Sequence, residues 1–460
     1  MKILRILLLM LAVSTLAYAS GGGDIVETMR HTYTDTWIGI ACLFIFIIGY
    51  YFIAAEEIYH INKAKPALFI GTFMFMLIGF YFASNGLDTA PLHTEVKHLI
   101  LEIAEIFFFL FVAMTFIETL IDRRVFERLK YNLVSKGYSY KKLFWLTGVL
   151  AFFISPIADN MTTALILSTV LLTIDKKNMS FLVPGAVNIV VAANAGGAWS
   201  PFGDITTLMA WQAQKAHFVD FLYLFPPSFI GWIITAYLLS LKLPSGEPDF
   251  DPSTEKKPII RKGGHITIYL GVLTIASAVL GHQYFGLPPA WGMMFGLSLL
   301  KLYSYTVKRS GEKSFDIYAS MRLVENDTLL FFFGILAAVG ALHFLGFLDY
   351  VVKLYEIIGP SAANIGVGFI SAIVDNVPVM SAVLKANPPM GIDQWLLVTL
   401  TAGIGGSLIS FGSAAGVGVM GRMRGIYTFG AHMKLAWTIL VGYVVSMIIW
   451  YIQFELLGLY

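Results

Sequence analysis

"SPIADNMTTALIL", residues 155–167, sets an aspartate, an asparagine and two threonines inside a long apolar stretch. A second stretch, "SAIVDNVPVMSAV" (371–383), repeats the pattern, with Asp375 opposite Asp159 and Asn376 opposite Asn160. The first motif lies in an apolar region, 143–174, that begins after Lys141–Lys142 and ends at "DKKN" (175–178). A helix needs about 20 residues to cross a hydrocarbon layer of about 30 Å. The region is too long for one upright span and too short for two. It reads as a re-entrant hairpin that enters and leaves on one side, with "SPIADN" at its tip. Pro156 supports the break, because an interior proline removes a helix hydrogen bond. A single tilted, kinked helix is the alternative.

The surroundings agree with a membrane setting. Of 460 residues, 57% are hydrophobic and 13% charged, against about 25% charged in ordinary soluble domains. Mean hydropathy is +0.74. The fold class is therefore an all-α polytopic membrane protein whose first partner is the lipid bilayer. The net charge of +2 points to no nucleic-acid partner. The single cysteine, Cys42, excludes an intrachain disulfide or a thiolate cluster and reads as a packing residue. At the N-terminus, Lys2 and Arg5, a leucine-rich run and "AYA" before Ser20 read as a signal peptide over 1–19. An uncleaved first span is the alternative. Either way the chain beyond it starts outside the cytoplasm.

Basic residues set the orientation of the spans. Spans 36–55, 66–84 and 97–121 lead to a loop, 122–142, with seven Lys and Arg, which places that loop inside. The first hairpin follows. Segment 181–213 then crosses outward with a glycine-rich break, "NAGGAWSPFGD" (194–204), and 218–241 returns. The polar, basic stretch 242–264 reads as a cytoplasmic linker between an N-terminal half, 20–241, and a C-terminal half, 265–460. The second half holds spans 265–284, 289–307 and 323–345, a hairpin at 361–386, a broken span at 394–421 and a last span at 430–456. Of the 31 Lys and Arg, only Arg30, Lys97, Lys215, Lys353 and Lys385 fall outside, with Lys2 and Arg5 in the signal peptide.

The halves repeat each other. "AGGAWSPFGD" (195–204) aligns with "IGGSLISFGS" (404–413), and "EIFFFLFVAMTF" (105–116) resembles "LLFFFGILAAVG" (329–340). Each half reads as span, hairpin, broken span, span. The first hairpin opens inside and the second outside, so the expected architecture is two inverted-topology repeats, each with a re-entrant helical hairpin and a broken transmembrane helix. In secondary transporters of that design the site lies near the midplane where the repeats meet.

Non-helical backbone at membrane depth is tolerated only against protein or a hydrated cavity. An aspartate at a helix centre costs roughly 2.5–3.5 kcal/mol to insert. The quoted motifs contain no Lys or Arg to neutralise Asp159, Asp204 and Asp375, so the expected partner is a proton or a small cation. Anionic substrates would favour basic side chains, whereas a hard cation such as Na⁺ or Li⁺ takes oxygen ligands. Asp159, Asn160, Thr162, Thr163, Asn194, Ser200, Asp204, Thr206 and Thr207 supply that chemistry in the first half. Asp375, Asn376, Ser407, Ser410 and Ser413 supply it in the second. Asp204 faces Ser413 in the alignment, which puts the acidic burden, and the main ion site, in the first half. One carboxylate holds either H⁺ or Na⁺, and that competition suffices for exchange. Glu102 and Glu105 share a helix face and read as a proton route or the lining of an outer vestibule. His98 and His343 are candidates for tuning a pH response.

"SPIADNMTTALI", "NAGGAWSPFGDITT" and "VDNVPVMSA" resemble the signature regions of NhaD-type sodium/proton antiporters, within the broader ion transporter superfamily. The resemblance runs from about residue 36 to the C-terminus. It implies Na⁺(Li⁺)/H⁺ exchange in a bacterial inner membrane, a commonly dimeric assembly, and no cofactor beyond the transported ions. By match of motif it implies transport roles for Asp159, Thr162, Asn194, Asp204, Thr206 and Asp375, with Na⁺ at the three aspartates. The rival reading is an anion or oxyanion carrier of the same superfamily, for arsenite or a dicarboxylate. Dicarboxylate relatives carry Ser-Asn-Thr at the hairpin tips, where Asp-Asn stands here. A membrane enzyme is disfavoured, since no H-E-x-x-H, G-x-S-x-G or cysteine pair occurs. A channel is a third alternative, disfavoured because inverted repeats imply alternating access.

Overall fold

The computed structural model describes residues 33–59, 61–248, 257–312 and 314–459. The signal-peptide reading of 1–19 lies outside them, as does part of the linker. Every regular element among the described residues is helical. Among the described residues, nine helices are long and apolar enough to cross a membrane. Large apolar side chains such as Phe44, Phe69, Phe80 and Trp291 face outward, as a lipid-facing surface requires.

Helices α1 (Trp37–Ala54) and α2 (Ala64–Ser84) form the first pair of spans. Helix α3 (Ala90–Asp122) has 33 residues, about 50 Å of helix, and so begins well before the expected span at 97–121. The basic stretch taken from sequence as a loop contains α4 (Val125–Val134), a helix with one apolar face. Next come α5 (Tyr140–Ala158) and α6 (Asn160–Ile174). The Tyr140 hydroxyl donates to Asp175 Oδ2 at 2.7 Å, joining the start of α5 to the end of α6. The region is therefore a hairpin and not one kinked helix.

Helix α7 (Met179–Gly197) is followed by an irregular break and the short α8 (Ile205–Gln212), then by α9 (Phe225–Ser240). In the second half come α10 (Gly264–Phe285), α11 (Pro289–Arg309), α12 (Ile317–Leu323) and α13 (Asn326–Phe344). A short amphipathic helix not anticipated from sequence, α14 (Asp349–Ile358), precedes the second hairpin. That hairpin is α15 (Pro360–Val374) and α16 (Asn376–Ala386). Helix α17 (Ile392–Gly405), a second break, α18 (Ala414–Arg422) and α19 (Ala436–Tyr451) complete the chain.

The broken helices are the core. From Val187 to Gly197 every residue of α7 is buried, and α17 is buried from Gln394 onward. Small residues let neighbours approach, and buried amides are satisfied: Asn188 donates to Phe144 O at 3.0 Å and accepts from Trp232 Nε1 at 3.0 Å, tying α5, α7 and α9 together. Helix α5 packs on α7 as α15 packs on α17, while α9 packs on α19. Each hairpin's second arm meets the other half's short helix, α6 against α18 and α16 against α8. The hairpins open at opposite ends. The first hairpin's open end meets the 242–264 stretch, with Tyr140 N donating to Gly246 O at 3.1 Å. The second hairpin's open end meets the early part of α3, where Lys385 pairs with Glu102 at 2.7 Å. The late end of α3 returns to the same 242–264 stretch, through buried Arg123 and Arg261 N, which donates to Arg123 O at 3.0 Å.

Helices α2 and α13 cross at Gly71 and Gly334, where a Cβ on Gly334 would enter the backbone of Ala67 and Leu68. Gly334→Val is expected to destabilise the protein by about 1–3 kcal/mol or more through overpacking. A lowered thermal midpoint in detergent checks this. Gly366→Ala, whose Cβ would meet nothing within 4 Å inside α15, should not lower the midpoint and is expected to raise it slightly.

Candidate functional site

Both hairpin tips turn on an aspartate in left-handed backbone. Asp159 has φ 55° and ψ 161°, and Asp375 has φ 74° and ψ 148°. This region belongs almost entirely to glycine and costs about 1–3 kcal/mol otherwise. The side chain returns part of that cost by capping the helix that follows. Asp159 Oδ1 accepts from Thr162 N at 2.8 Å and Oδ2 from Thr162 Oγ1 at 2.8 Å. Asp375 Oδ1 accepts from Asn376 N at 2.7 Å.

The two breaks correspond just as closely. Gly197 and Gly203 back onto each other so tightly that a Cβ on either would strike the other's backbone, and a Cβ on Gly406 would strike Gly412, while one on Gly412 would strike the backbone of Ala372 on α15. Asp204 and Ser413 then share one backbone conformation, φ −146° and ψ 151° against φ −145° and ψ 152°. Each caps the short helix after it, through Thr206 N at 3.3 Å and Gly416 N at 3.2 Å. Ser155 Oγ donates to Ala193 O at 2.6 Å, and its aligned partner Ser371 donates to Ala402 O at 2.7 Å. The aligned sequence positions thus reappear as matched hydrogen bonds.

At the crossing, the asparagines of both Asp-Asn motifs converge on Asp204. Asn160 Nδ2 donates to Asp204 Oδ2 at 3.0 Å and to Asn194 Oδ1 at 3.0 Å. Asn376 Nδ2 donates to Asp204 Oδ2 at 2.9 Å and Oδ1 at 3.1 Å. Asn194 Nδ2 carries the network into the second half, donating to Ser407 Oγ at 2.7 Å and Ser413 Oγ at 2.8 Å. The N-termini of α6, α8, α16 and α18 meet here with the C-terminal ends of α5, α7, α15 and α17. Helix N-termini stabilise a carboxylate, and C-terminal carbonyls offer oxygen to a cation. Among the described residues, the buried hydroxyls of Thr163, Thr206 and Ser410 have no protein hydrogen-bond partner and are free to serve as further oxygen ligands.

The sequence expectation of a mobile ion or proton as the counter-charge needs one correction. The Lys63 ammonium, at the start of α2, pairs with Asp375 Oδ2 at 3.1 Å. Among the described residues no such pair reaches Asp159 or Asp204.

Other expected residues divide by what their side chains bind. Ser200 Oγ donates to Pro156 O at 2.9 Å, and Thr207 Oγ1 donates to Ser200 O at 2.8 Å and Asp204 O at 2.6 Å. These hydroxyls build the break. Glu102, Glu105 and His98 line a cavity of about 350 Å³ with Gln212 and Lys385, away from the Asp204 network. His343 lines a separate pocket with Tyr33 and Tyr81. Sequence reading passed over Glu118 and Glu325, which line a cavity of about 110 Å³ that reaches Asp159 and Thr162. Glu118 was discoverable as an acidic residue inside an apolar span.

Comparison with known proteins adds a second line. A family model described as citrate transporter, CitMHS, matches residues 50–405. The Na⁺/H⁺ antiporter NhaD of Alkalimonas amylolytica is 42% identical over 439 residues, covering 90% of each chain. That of Vibrio cholerae is 42% identical over 443 residues, 91% of this chain and 92% of that protein. That of Vibrio parahaemolyticus is 44% identical over 83% of this chain and 98% of its own.

The tip geometry makes a prediction that does not depend on transport. Asp159→Ala and Asp159→Gly both lose the cap on Thr162, but only alanine keeps the strain of positive φ. The glycine variant should be the more stable by about 1 kcal/mol, read as a higher thermal midpoint in detergent. Equal midpoints would show that the tip is not strained.

Proposed function

Because this chain belongs to the NhaD family of Na⁺/H⁺ antiporters, we propose that it exports sodium, or lithium, in exchange for protons at a site centred on Asp204. It is a multi-pass membrane protein and a Na⁺/H⁺ antiporter, and it falls within the wider CitMHS transporter family. The observation that carries the site assignment is the Asp204 carboxylate, buried between the halves and held by Asn160 and Asn376, with no side-chain cation paired to it among the described residues. A carboxylate so placed binds one cationic partner at a time. Sodium binding on one side expels the proton, and protonation on the other expels sodium. Asp159 joins it through the inner cavity, where Glu118 and Glu325 attract cations. Thr163, Thr206 and Ser410 contribute hydroxyl oxygens, and Asn194 couples the two breaks.

The two halves, 20–241 and 265–460, act as inverted repeats about this site, joined by a cytoplasmic linker at 242–264. Access alternates as the hairpins and short helices move against the opposite half. The protein resides in the inner membrane with its mature N-terminus periplasmic, works as a homodimer, needs no cofactor and catalyses no covalent step. A citrate-like substrate is disfavoured, because the site presents three carboxylates and a single lysine already paired with one of them.

The test is a proton-gradient assay in inside-out vesicles. Adding NaCl or LiCl should collapse a preformed gradient, whereas citrate or arsenite should not. Asp204→Asn and Asp159→Asn should each abolish the collapse while the protein still reaches the membrane. Normal exchange by both variants would move the ion site elsewhere.

A further inference from the structure

Lys63 is a half-buried cation that sequence reading did not connect to the site, and its surroundings are specific. It is the N-cap residue of α2, and its side chain is 18% exposed against 9% for Asp375. Its ammonium lies 4.3 Å from the centre of the Phe331 ring on α13, a contact that favours a desolvated cation. The backbone around it is fixed. Asn62 Nδ2 donates to Asp327 Oδ2 at 2.8 Å, Asn62 Oδ1 accepts from Ala64 N at 2.9 Å, and Lys63 N donates to Glu56 Oε1 at 3.3 Å. The glycine crossing of α2 and α13 holds the two helices in register just beyond it. The ammonium is thus delivered to the second hairpin tip by α2.

The first tip has a different setting. Asp159 lies in a cavity with Glu118 and Glu325, and its carboxylate accepts from Thr162 N, Thr162 Oγ1 and the Met161 backbone N–H. Two tips with the same backbone therefore differ in what touches them: the Lys63 ammonium pairs directly with Asp375, whereas Asp159 shares its cavity with two glutamates, of which Glu325 also feels the Lys63 charge. Asp375 is also linked to the central carboxylate through a single residue, because Asn376, whose N–H it accepts, donates through its side chain to both oxygens of Asp204. Any net negative charge left at Asp375 acts directly on a cation held at Asp204.

We propose that Lys63 is a positioning residue for transport, a tethered cation that occupies Asp375 so that sodium is held at Asp204 and Asp159 and remains releasable. The inference rests on the sodium-exchange reading above and adds to it the reason one of three acidic positions is closed to the transported ion. Without the ammonium, Asp375 is an additional buried anion beside Asp204, and the site holds sodium more tightly. Tighter ground-state binding that is not matched in the transport step lowers turnover.

Sodium-dependent exchange by the full-length protein in proteoliposomes separates the possibilities, with NaCl as the probe and Lys63→Gln, Lys63→Met and Lys63→Arg as variants. Glutamine keeps a hydrogen bond to Asp375 without charge, and arginine keeps the charge. The expected result is that Lys63→Gln lowers the half-saturating sodium concentration and the maximal rate together, each by at least about fivefold, the lower end of ordinary site-to-site coupling. Lys63→Arg should stay within about twofold of the parent protein in both. If the methionine variant fails to reach the membrane, the glutamine–arginine pair still decides. Wild-type values for Lys63→Gln, or a rise in its half-saturating sodium concentration, overturn the proposal. No exchange by the parent protein would instead overturn the antiporter reading, so the two failures are distinct.

Discussion

A carboxylate buried between two halves of a membrane protein must find its partners inside the protein, and Asp204 finds them at both hairpin tips. An uncompensated buried charge costs several kcal/mol. The compensation here is two carboxamide donors, one from each half, each carried by the first residue of a helix. This arrangement demands most of the unusual backbone. The chain must turn back at membrane depth twice to bring Asn160 and Asn376 to one point. It must also break α7 and α17 so that Asp204 and Ser413 face the crossing. Glycine pairs at 197/203 and 406/412 allow the breaks to close on themselves, and aspartates at the tips cap the helices that the turns begin.

Much of this was legible in the chain. The paired Asp-Asn motifs, the flanking lysines and the glycine breaks led to hairpins and broken helices at the observed places, because polar residues in hydrocarbon have few other uses. The roles of individual hydroxyls were not legible. Thr207 and Thr206 are adjacent and chemically alike, yet one bonds backbone carbonyls and the other bonds nothing. That distinction depends on how the break folds, which residue type does not encode. Lys63 was hidden for another reason: it lies 312 positions from its partner, and it looks like any basic residue in a short inside loop. Helix α14 was missed because ten residues with one apolar face look like a loop beside spans twice as long. The early start of α3 was missed because its first turns are polar enough to read as extramembrane chain.

The correspondence between the halves is close in backbone and loose in charge, and that contrast bears on how one site serves two sides. Shared backbone gives each half a hairpin and a broken helix, the pairing that the proposed access from alternate sides requires. If the side chains matched as well, there would be two acidic breaks and two equal sites, with no single place for an ion to be exchanged. Asp204 against Ser413 removes one of those sites. The Lys63–Asp375 pair does the same at the tips, leaving Asp159 as the tip carboxylate without a resident cation among the described residues. On the proposed reading the asymmetry gathers the exchangeable charge into the first half, while Asn376 bonds Asp204 and Ser407 and Ser413 accept from Asn194. Movement of either half then changes the surroundings of the same carboxylate. For exchange at one site this is the necessary condition: the ion and the proton must meet a common group, and both repeats must touch it.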